Sequence, residues 1–423
     1  MSLKRFLIHS NNIDRDSYIW NMTGSMLNAF QSVIMLMVLT RAVNLYEAGL
    51  FTIAYANANL FLNIGKYGVR NFQVSDTNHQ FSFREYNRSR YITTSVMLIV
   101  SIGYVAIAAH ANNYPAEKSQ IIIWMCLFKV IDSLEDVYHG LYQQNNRLDI
   151  AGKCMTLRML FTIIVFAVCL MIWKRLLPAL IVSTIFTTIV YILFTILTCG
   201  EFKQYYGDVN AANIIRQFRL CFPLFLGTFL AFYIGNAPKY AIDSILNDEM
   251  QACYGFIAMP VFVIGLLNNF IFNPIISKMS LMWNDGEIKP FLKLFAKQLL
   301  IVLGIAIICE AGAYVLGIPV LSWLYNTDLT PYKTELLVLL LGGGFFALSG
   351  LLVTIITILR MQKVLAIGYS IVALIALFLS NIMVEKYAIM GASVLYLVLM
   401  VLLCVLFAIP LWGKICKVRK ASK

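Results

Sequence analysis

The chain has 423 residues, 60 % of them hydrophobic and 13 % charged, with a formal net charge of +12. A soluble domain carries about 25 % charged residues, so this composition argues against a soluble globular domain and for a polytopic, all-α membrane protein. Nine cysteines and four histidines are scattered, without CxxC, HExxH, Walker A or GxGxxG spacing, so no disulfide framework, metal, nucleotide or other cofactor is expected.

Taken in chain order, an amphipathic leader occupies 1–17. Apolar windows then place about 12 spans of bilayer-crossing length, near 18–39, 46–65, 91–111, 117–143, 157–173 and 177–199, and near 217–237, 251–275, 298–318, 335–358, 364–384 and 388–412. The first window runs about 22 residues, longer than a signal-peptide core, and is expected to be retained. These windows divide into an N-terminal six-helix lobe, 18–212, and a C-terminal one, 213–412, followed by a basic tail, 413–423.

With both termini inside, about 25 Lys and Arg fall on the cytoplasmic side and about 7 outside, with Lys129 left over. The positive charge then faces the anionic inner leaflet, where each basic residue contributes about 1 kcal/mol, and no nucleic-acid partner is needed to explain it. The outer loops are short, and no DxD segment appears on the inner side. Both features speak against a membrane glycan polymerase or ligase.

Span one carries Asn21, Ser25, Asn28 and Ser32 as one polar stripe, with Gly24 and Gln31 beside it. In lipid such a stripe must face protein or water. It reads either as helix–helix glue or as hydroxyl and amide contacts to a sugar. Arg41, at the outer end of span one, suits a bidentate grip on phosphate, or it snorkels to headgroups. Lys66, Arg70 and Arg360 lie at inner helix ends as topology signals; Arg70 and Arg360 are also gate candidates.

Span four reads FKVIDSLEDVYHG at 128–140. Val130, Ile131, Leu134, Val137, Tyr138, Leu141 and Tyr142 recur at helical period, which leaves Lys129, Asp132 and Asp136 on the opposite face and Glu135 at its edge. The helix therefore continues through the charges as a rod of about 27 residues, roughly 40 Å long. Each such charge facing lipid at mid-bilayer costs about 2.5–3.5 kcal/mol. Lys129 and Asp132 pair at i,i+3, whereas Asp132 and Asp136 repel and need another base, such as Arg70. This face is either a structural charge network or the lining of an inward-facing cavity, with Lys129 meeting anionic cargo and the acids forming a gate.

Lys239 ends span seven, at the place corresponding to Arg41. Glu310 is a lone acid within span nine, able to couple a cation or to pair with a base. Gly342, Gly343 and Gly344 could break span ten or allow close packing. The segments 41–64 and 242–270 share a polar connection, an aromatic-bearing helix start and a long helix containing Asn. Their offset of about half the chain suggests an internal repeat, which would set Arg41 and Lys239 across from each other near the outer mouth.

The segments LTRAVNLYEAGLF (39–51), GVRNFQVSDTNHQFSFREYNRSRYIT (68–93), KVIDSLEDVYHGLYQQNNRLDIAGKCMTLR (129–158), NNFIFNPIISKMS (268–280) and TILRMQKVLAIGY (357–369) occur in an order and spacing that carry a resemblance. The chain resembles the polysaccharide transporters of the multidrug/oligosaccharidyl-lipid/polysaccharide (MOP) flippase superfamily, and more narrowly the O-antigen and capsule repeat-unit flippases of bacteria. The resemblance implies a MATE-like fold of two six-helix lobes around a central cavity. It further implies alternating access in the bacterial plasma membrane, and a glycan on a polyprenyl pyrophosphate carrier as cargo. Membrane lipids and polysaccharide-assembly proteins are the implied partners, the coupling ion (H⁺ or Na⁺) is open, and a monomer is expected. Two other readings stand beside this one: a cation-coupled multidrug exporter of the same superfamily, and a glycan polymerase or ligase. The candidate cavity bases Arg41, Lys129 and Lys239 favour an anionic cargo over a cationic drug.

Overall fold

The computed structural model describes residues 3–76, 79–205 and 207–421. Thr77 and Asn78 of the first inner loop, and 422–423 of the basic tail, lie outside the described residues. All regular structure among them is helical: α1 Leu3–Ile8, α2 Ile13–Ala42, α3 Leu45–Lys66, α4 Val69–Ser75, α5 Phe83–Ala111, α6 Ala116–Gln144, α7 Leu148–Trp173 and α8 Leu176–Cys199, then α9 Ala211–Ile245, α10 Asp248–Ile257, α11 Met259–Asn284, α12 Ile288–Gly312, α13 Ile318–Tyr325, α14 Lys333–Ile358 and α15 Gln362–Ala421. Eight stretches among the described residues are long and apolar enough to cross a membrane: α2, α5, α7, α8, α9, α12–α13, α14 and α15.

Several helices start earlier than hydrophobicity alone suggests, because capping rather than apolarity sets their ends. The Asn12 side chain accepts from the backbone N of Arg15 at 3.0 Å, and Asp14 and Asp16 occupy the positive first turn of α2, so the helix begins at Ile13. A capping box of Ser82 and Glu85 starts α5 at Phe83, well before residue 91. In the second half α10 ends at Ile257 and α11 restarts with Pro260 at its N-terminus, where a missing N–H costs nothing. A π-turn at Ala313–Gly317 joins α12 to α13 just ahead of Pro319. Two expected spans run together as α15, broken only at Ala388, whose φ of 48° and ψ of −132° interrupt the helix.

The chain divides into two compact units, 1–229 and 230–423, the division falling inside α9. In unit 1, α2 lies along α7, α3 packs on α5 and α6, and α8 packs on α6 and α7. Contact between α2 and α7 is close because Gly152 admits the backbone of Trp20 and Asn21, and Gly24 admits Met155 and Thr156. At one end of the unit, Leu7, Val69, Phe83, Tyr86, Leu141, Ile150 and Phe194 join α1, α4, α5, α6, α7 and α8 in one apolar cluster.

In unit 2, α14 packs on α11, α12 and α15. Gly342, Gly343 and Gly344 do not break α14, which is continuous from Lys333 to Ile358. Each instead admits a different neighbour: Gly342 meets Tyr396 and Leu397 of α15, Gly343 meets Val261 and Ile264 of α11, and Gly344 meets Ala306 of α12. Three consecutive small residues point to three directions around a helix, so the triplet serves close packing.

The internal repeat has a local counterpart in both units. Asn44 caps α3 by accepting from Glu47 N at 2.9 Å, and Asn247 caps α10 by accepting from Met250 N at 2.8 Å. Phe51 and Tyr254, at equal distances beyond the two caps, are both buried.

Candidate functional site

The charged face of α6 is the densest polar feature of unit 1. Lys129, Asp132, Glu135, Asp136 and His139 follow one another at helical spacing, and all are buried. The more accessible positions of this stretch are instead Val130, Leu134 and Tyr138. In this structure the face is packed as a charge network inside the unit, joined by residues of six helices around α6: α2, α3, α4, α5, α7 and α8.

Lys129 is 1 % exposed. Its ammonium donates to Asp132 Oδ2 at 2.8 Å and to Gln31 Oε1 of α2 at 3.0 Å, and lies 4.8 Å from the centroid of the Tyr55 ring of α3. Arg158 of α7 is equally buried. It donates to Glu135 Oε2 through Nε at 3.0 Å and Nη2 at 2.6 Å. The same Nη2 reaches Asp132 Oδ1 at 2.8 Å, and Nη1 reaches Thr187 Oγ1 of α8 at 3.1 Å. His139 Nε2 stands 3.5 Å from Glu135 Oε1.

A second cell of the network surrounds Asp136. Arg90 of α5 donates to its Oδ2 at 2.7 Å, and Arg70 of α4 stands 3.6 Å from its Oδ1. Arg90 also donates to the carbonyl of Gly65 at 2.6 Å, and Thr93 Oγ1 joins at 2.7 Å. That carbonyl is among the last four of α3, which lack intrahelical donors and carry the negative end of the helix dipole, so a buried cation suits the position. Arg70 reaches onward to Gln143 Oε1 at 3.0 Å.

Four bases thus meet three acids in a low-dielectric interior. Such charges are tolerated there only because each is paired and hydrogen-bonded. The repulsion expected between Asp132 and Asp136 is resolved by distinct partners: Arg158 and Lys129 for the first, Arg90 and Arg70 for the second. Arg70 was legible as a partner. Arg90 and Arg158 were not, because each sits at a span boundary, where a basic residue reads as a topology signal. The pair of unneutralised acids on α6 was the signal that two further bases had to approach.

The network reaches the polar stripe of α2 through Gln31, which also donates to Met159 Sδ at 3.3 Å. Gln31 and Gly24 are buried against the unit, whereas Ser25 and Asn28 are exposed and Asn21 and Ser32 partly so. Asp14 and Ser17 extend the same face downward. They line a recess of about 580 Å³ together with Asp76, Gln143, Gln144 and Asn146. The outcome is a ladder of amides and hydroxyls along an apolar helix, pointing away from the packing of its own unit, whose opposite edge Lys129 holds in place.

Arg41 is exposed in the last turn of α2, and Lys239 is half-buried within α9 in unit 2. Glu310 is half-buried near the end of α12, just before the π-turn. Arg360 occupies the left-handed position after α14, with φ 55°, and shapes the turn into α15.

The fold has solved counterparts over nearly the whole chain. It is similar to an inward-facing multidrug resistance MATE family transporter of the MOP superfamily, with a TM-score of 0.69 at 13 % identity, covering 95 % of this chain and 96 % of the other. It is likewise similar to the lipid II flippase MurJ in an inward closed conformation, with a TM-score of 0.68 at 11 % identity, covering 94 % and 90 %. In sequence the chain is 24 % identical over 377 residues to the capsular polysaccharide biosynthesis protein CapF of Staphylococcus aureus, covering 88 % of this chain and 92 % of that protein. Residues 15–280 match the model of the polysaccharide biosynthesis protein family. The chain is a multi-pass membrane protein whose fold is similar to those of these two solved structures, and it belongs to the polysaccharide biosynthesis protein family.

Proposed function

We propose that the protein is a non-enzymatic flippase. It moves an oligosaccharide repeat unit on a polyprenyl pyrophosphate carrier from the inner to the outer leaflet of a bacterial plasma membrane. It works by alternating access, with both termini cytoplasmic, and supplies a cell-surface polysaccharide. Family membership supports the pathway and the transporter fold supports the type of process.

The observation that carries the reading is the exposed ladder on α2. The side chains of Asn21, Ser25, Asn28 and Ser32 form no hydrogen bond among the described residues, and an apolar span offers such groups no reward in lipid. A hydroxyl-rich cargo would satisfy them in passing. Lys129 and Gln31 act on this ladder as positioning residues, and Arg70 with Asp136 closes the inner end of the same unit.

Deletion of the gene is expected to remove the surface polymer and to leave lipid-linked units facing the cytoplasm. Normal polymer in a strain with no second transporter would overturn the reading. Single units displayed outside would mark a polymerase, and drug hypersensitivity with normal polymer would mark a multidrug exporter.

The double replacement Ser25→Leu, Asn28→Leu should leave folding and membrane abundance unchanged, since neither side chain is used in packing. It should lower surface polymer roughly tenfold, as expected for losing about one net hydrogen bond to cargo. Wild-type polymer from this variant would remove the ladder from the transport path.

A further inference from the structure

The leader is not a free tail. Leu7 is fully buried in the apolar cluster of unit 1. The Ile8 carbonyl accepts from the Arg147 guanidinium, and the His9 carbonyl accepts from Lys153 Nζ at 2.9 Å. Ser10 Oγ accepts from the same ammonium at 2.7 Å and donates to Asp149 Oδ2 at 2.6 Å. These bonds hold the backbone of the leader against the first turn of α7, so its basic side chains are presented from a fixed frame.

Between the leader and the α6–α7 turn lies a recess of about 510 Å³. Lys4, Arg5, His9 and Arg147 line its polar wall, and Ile8 and Ile13 its apolar wall. Glu201 is the one acid lining it; it pairs with Lys4 at 3.3 Å, with both side chains about half exposed. Solvent-exposed pairs of this kind are weak, so a stronger anion can take the place of the carboxylate. The recess sits where α7 begins and α8 ends, and both helices are long and apolar enough to cross the membrane. That places it at the membrane surface. Leu3 and Ile13, 42 % and 40 % exposed, flank it.

We infer that this recess binds the phosphoryl headgroup of an anionic phospholipid. Lys4 and Arg5 grip the phosphate, and the exposed Leu3 and Ile13 lie against the upper acyl chain. An amphipathic surface with basic residues beside apolar ones has the chemistry for that interface. A docked leader loses little freedom on binding, which favours one held lipid over a diffuse cloud of counterions. The inference does not depend on the nature of the cargo.

The test uses the purified full-length protein in nanodiscs of phosphatidylcholine, or of an equimolar mixture with phosphatidylglycerol, and follows thermal unfolding. The anionic lipid is expected to raise Tm by about 3–5 °C. In Lys4→Gln, Arg5→Gln this increment should vanish while the protein stays folded in phosphatidylcholine, because Leu7 and the bonds of Ile8, His9 and Ser10 to Arg147, Asp149 and Lys153 still seat the leader. Lys289→Gln, Lys293→Gln, which removes two charges elsewhere, should keep the increment. Equal Tm in both lipids, or an increment that survives in Lys4→Gln, Arg5→Gln, overturns the inference. So does its loss in the Lys289→Gln, Lys293→Gln control, which would reduce the effect to net charge. If millimolar inorganic phosphate in phosphatidylcholine nanodiscs reproduces the whole increment, the ligand is free phosphate and the lipid assignment is overturned.

Discussion

Arg158→Ala is expected to abolish accumulation of folded protein in the membrane. The guanidinium contacts Glu135 at 2.6 Å, Asp132 at 2.8 Å and Thr187 at 3.1 Å, and alanine would leave two buried carboxylates sharing only Lys129 and His139. Removing one partner of a buried ion pair costs about 3–5 kcal/mol, much of the 5–15 kcal/mol that ordinarily holds a domain together. Arg158→Lys should recover part of the loss, since one ammonium keeps the charge but cannot reach three acceptors spread over α6 and α8. Thr187→Val removes a single neutral acceptor and should cost about 1 kcal/mol. Membrane abundance and thermal unfolding in detergent measure the series. An Arg158→Ala protein that accumulates and melts like the parent would show that the network contributes nothing to folding.

The second large effect is steric. A Cβ on Gly152 would stand 2.5 Å from the backbone N of Asn21 and 2.6 Å from the carbonyl carbon of Trp20. Backbone atoms cannot rotate away, so Gly152→Ala must push α2 off α7. Overpacking of this kind costs about 1–3 kcal/mol and more where no side chain can yield, and Gly152→Val should exceed the upper figure. Gly24→Ala meets the ends of Met155 and Thr156, which can move, so its cost should be smaller. A Cβ on Gly103 meets nothing within 4 Å, and Gly103→Ala should be neutral or gain up to about 1 kcal/mol from helix propensity. Melting temperatures in that order, lowest for Gly152, are the expected outcome, and a Gly152→Ala as stable as Gly103→Ala would refute the close approach. Because Asn21 begins the exposed ladder, the proposed flippase role predicts that Gly152 variants that do fold also yield less surface polymer.

How much of this was legible without coordinates differs from residue to residue. The continuation of α6 through FKVIDSLEDVYHG followed from its apolar stripe, because periodicity is a property of neighbouring residues. The early start of α5 was written in Ser82 and Glu85 as a capping box, yet a hydropathy window passes over polar caps and misses it. Of the two readings of Gly342–Gly344, a break or close packing, α14 shows the packing. Glycine tells equally of flexibility and of close approach, and only the presence of Tyr396, Val261 and Ala306 beside the three positions decides between them.

The charged face of α6 shows the same limit. Its four charges and their spacing were plain, and so was their need for partners. Which partners they found depended on Arg158, 23 residues from Glu135, and Arg90, 46 residues from Asp136. In the orientation count both fall among inner basic residues, whereas packing buries them as counterions.

An all-helical membrane protein, the approximate places of many of its helices, the polar stripe of α2 and the family resemblance were already readable from the amino-acid sequence. All of these rest on composition, local period or motif order, which no tertiary contact can alter. Tertiary structure alone decided that Lys129 holds Gln31 instead of facing open space, that Arg90 and Arg158 neutralise the acids of α6, and that the leader is seated on α7. Each of those depends on which helix faces bring distant residues within about 3 Å, and a hydrogen bond is that short in reach.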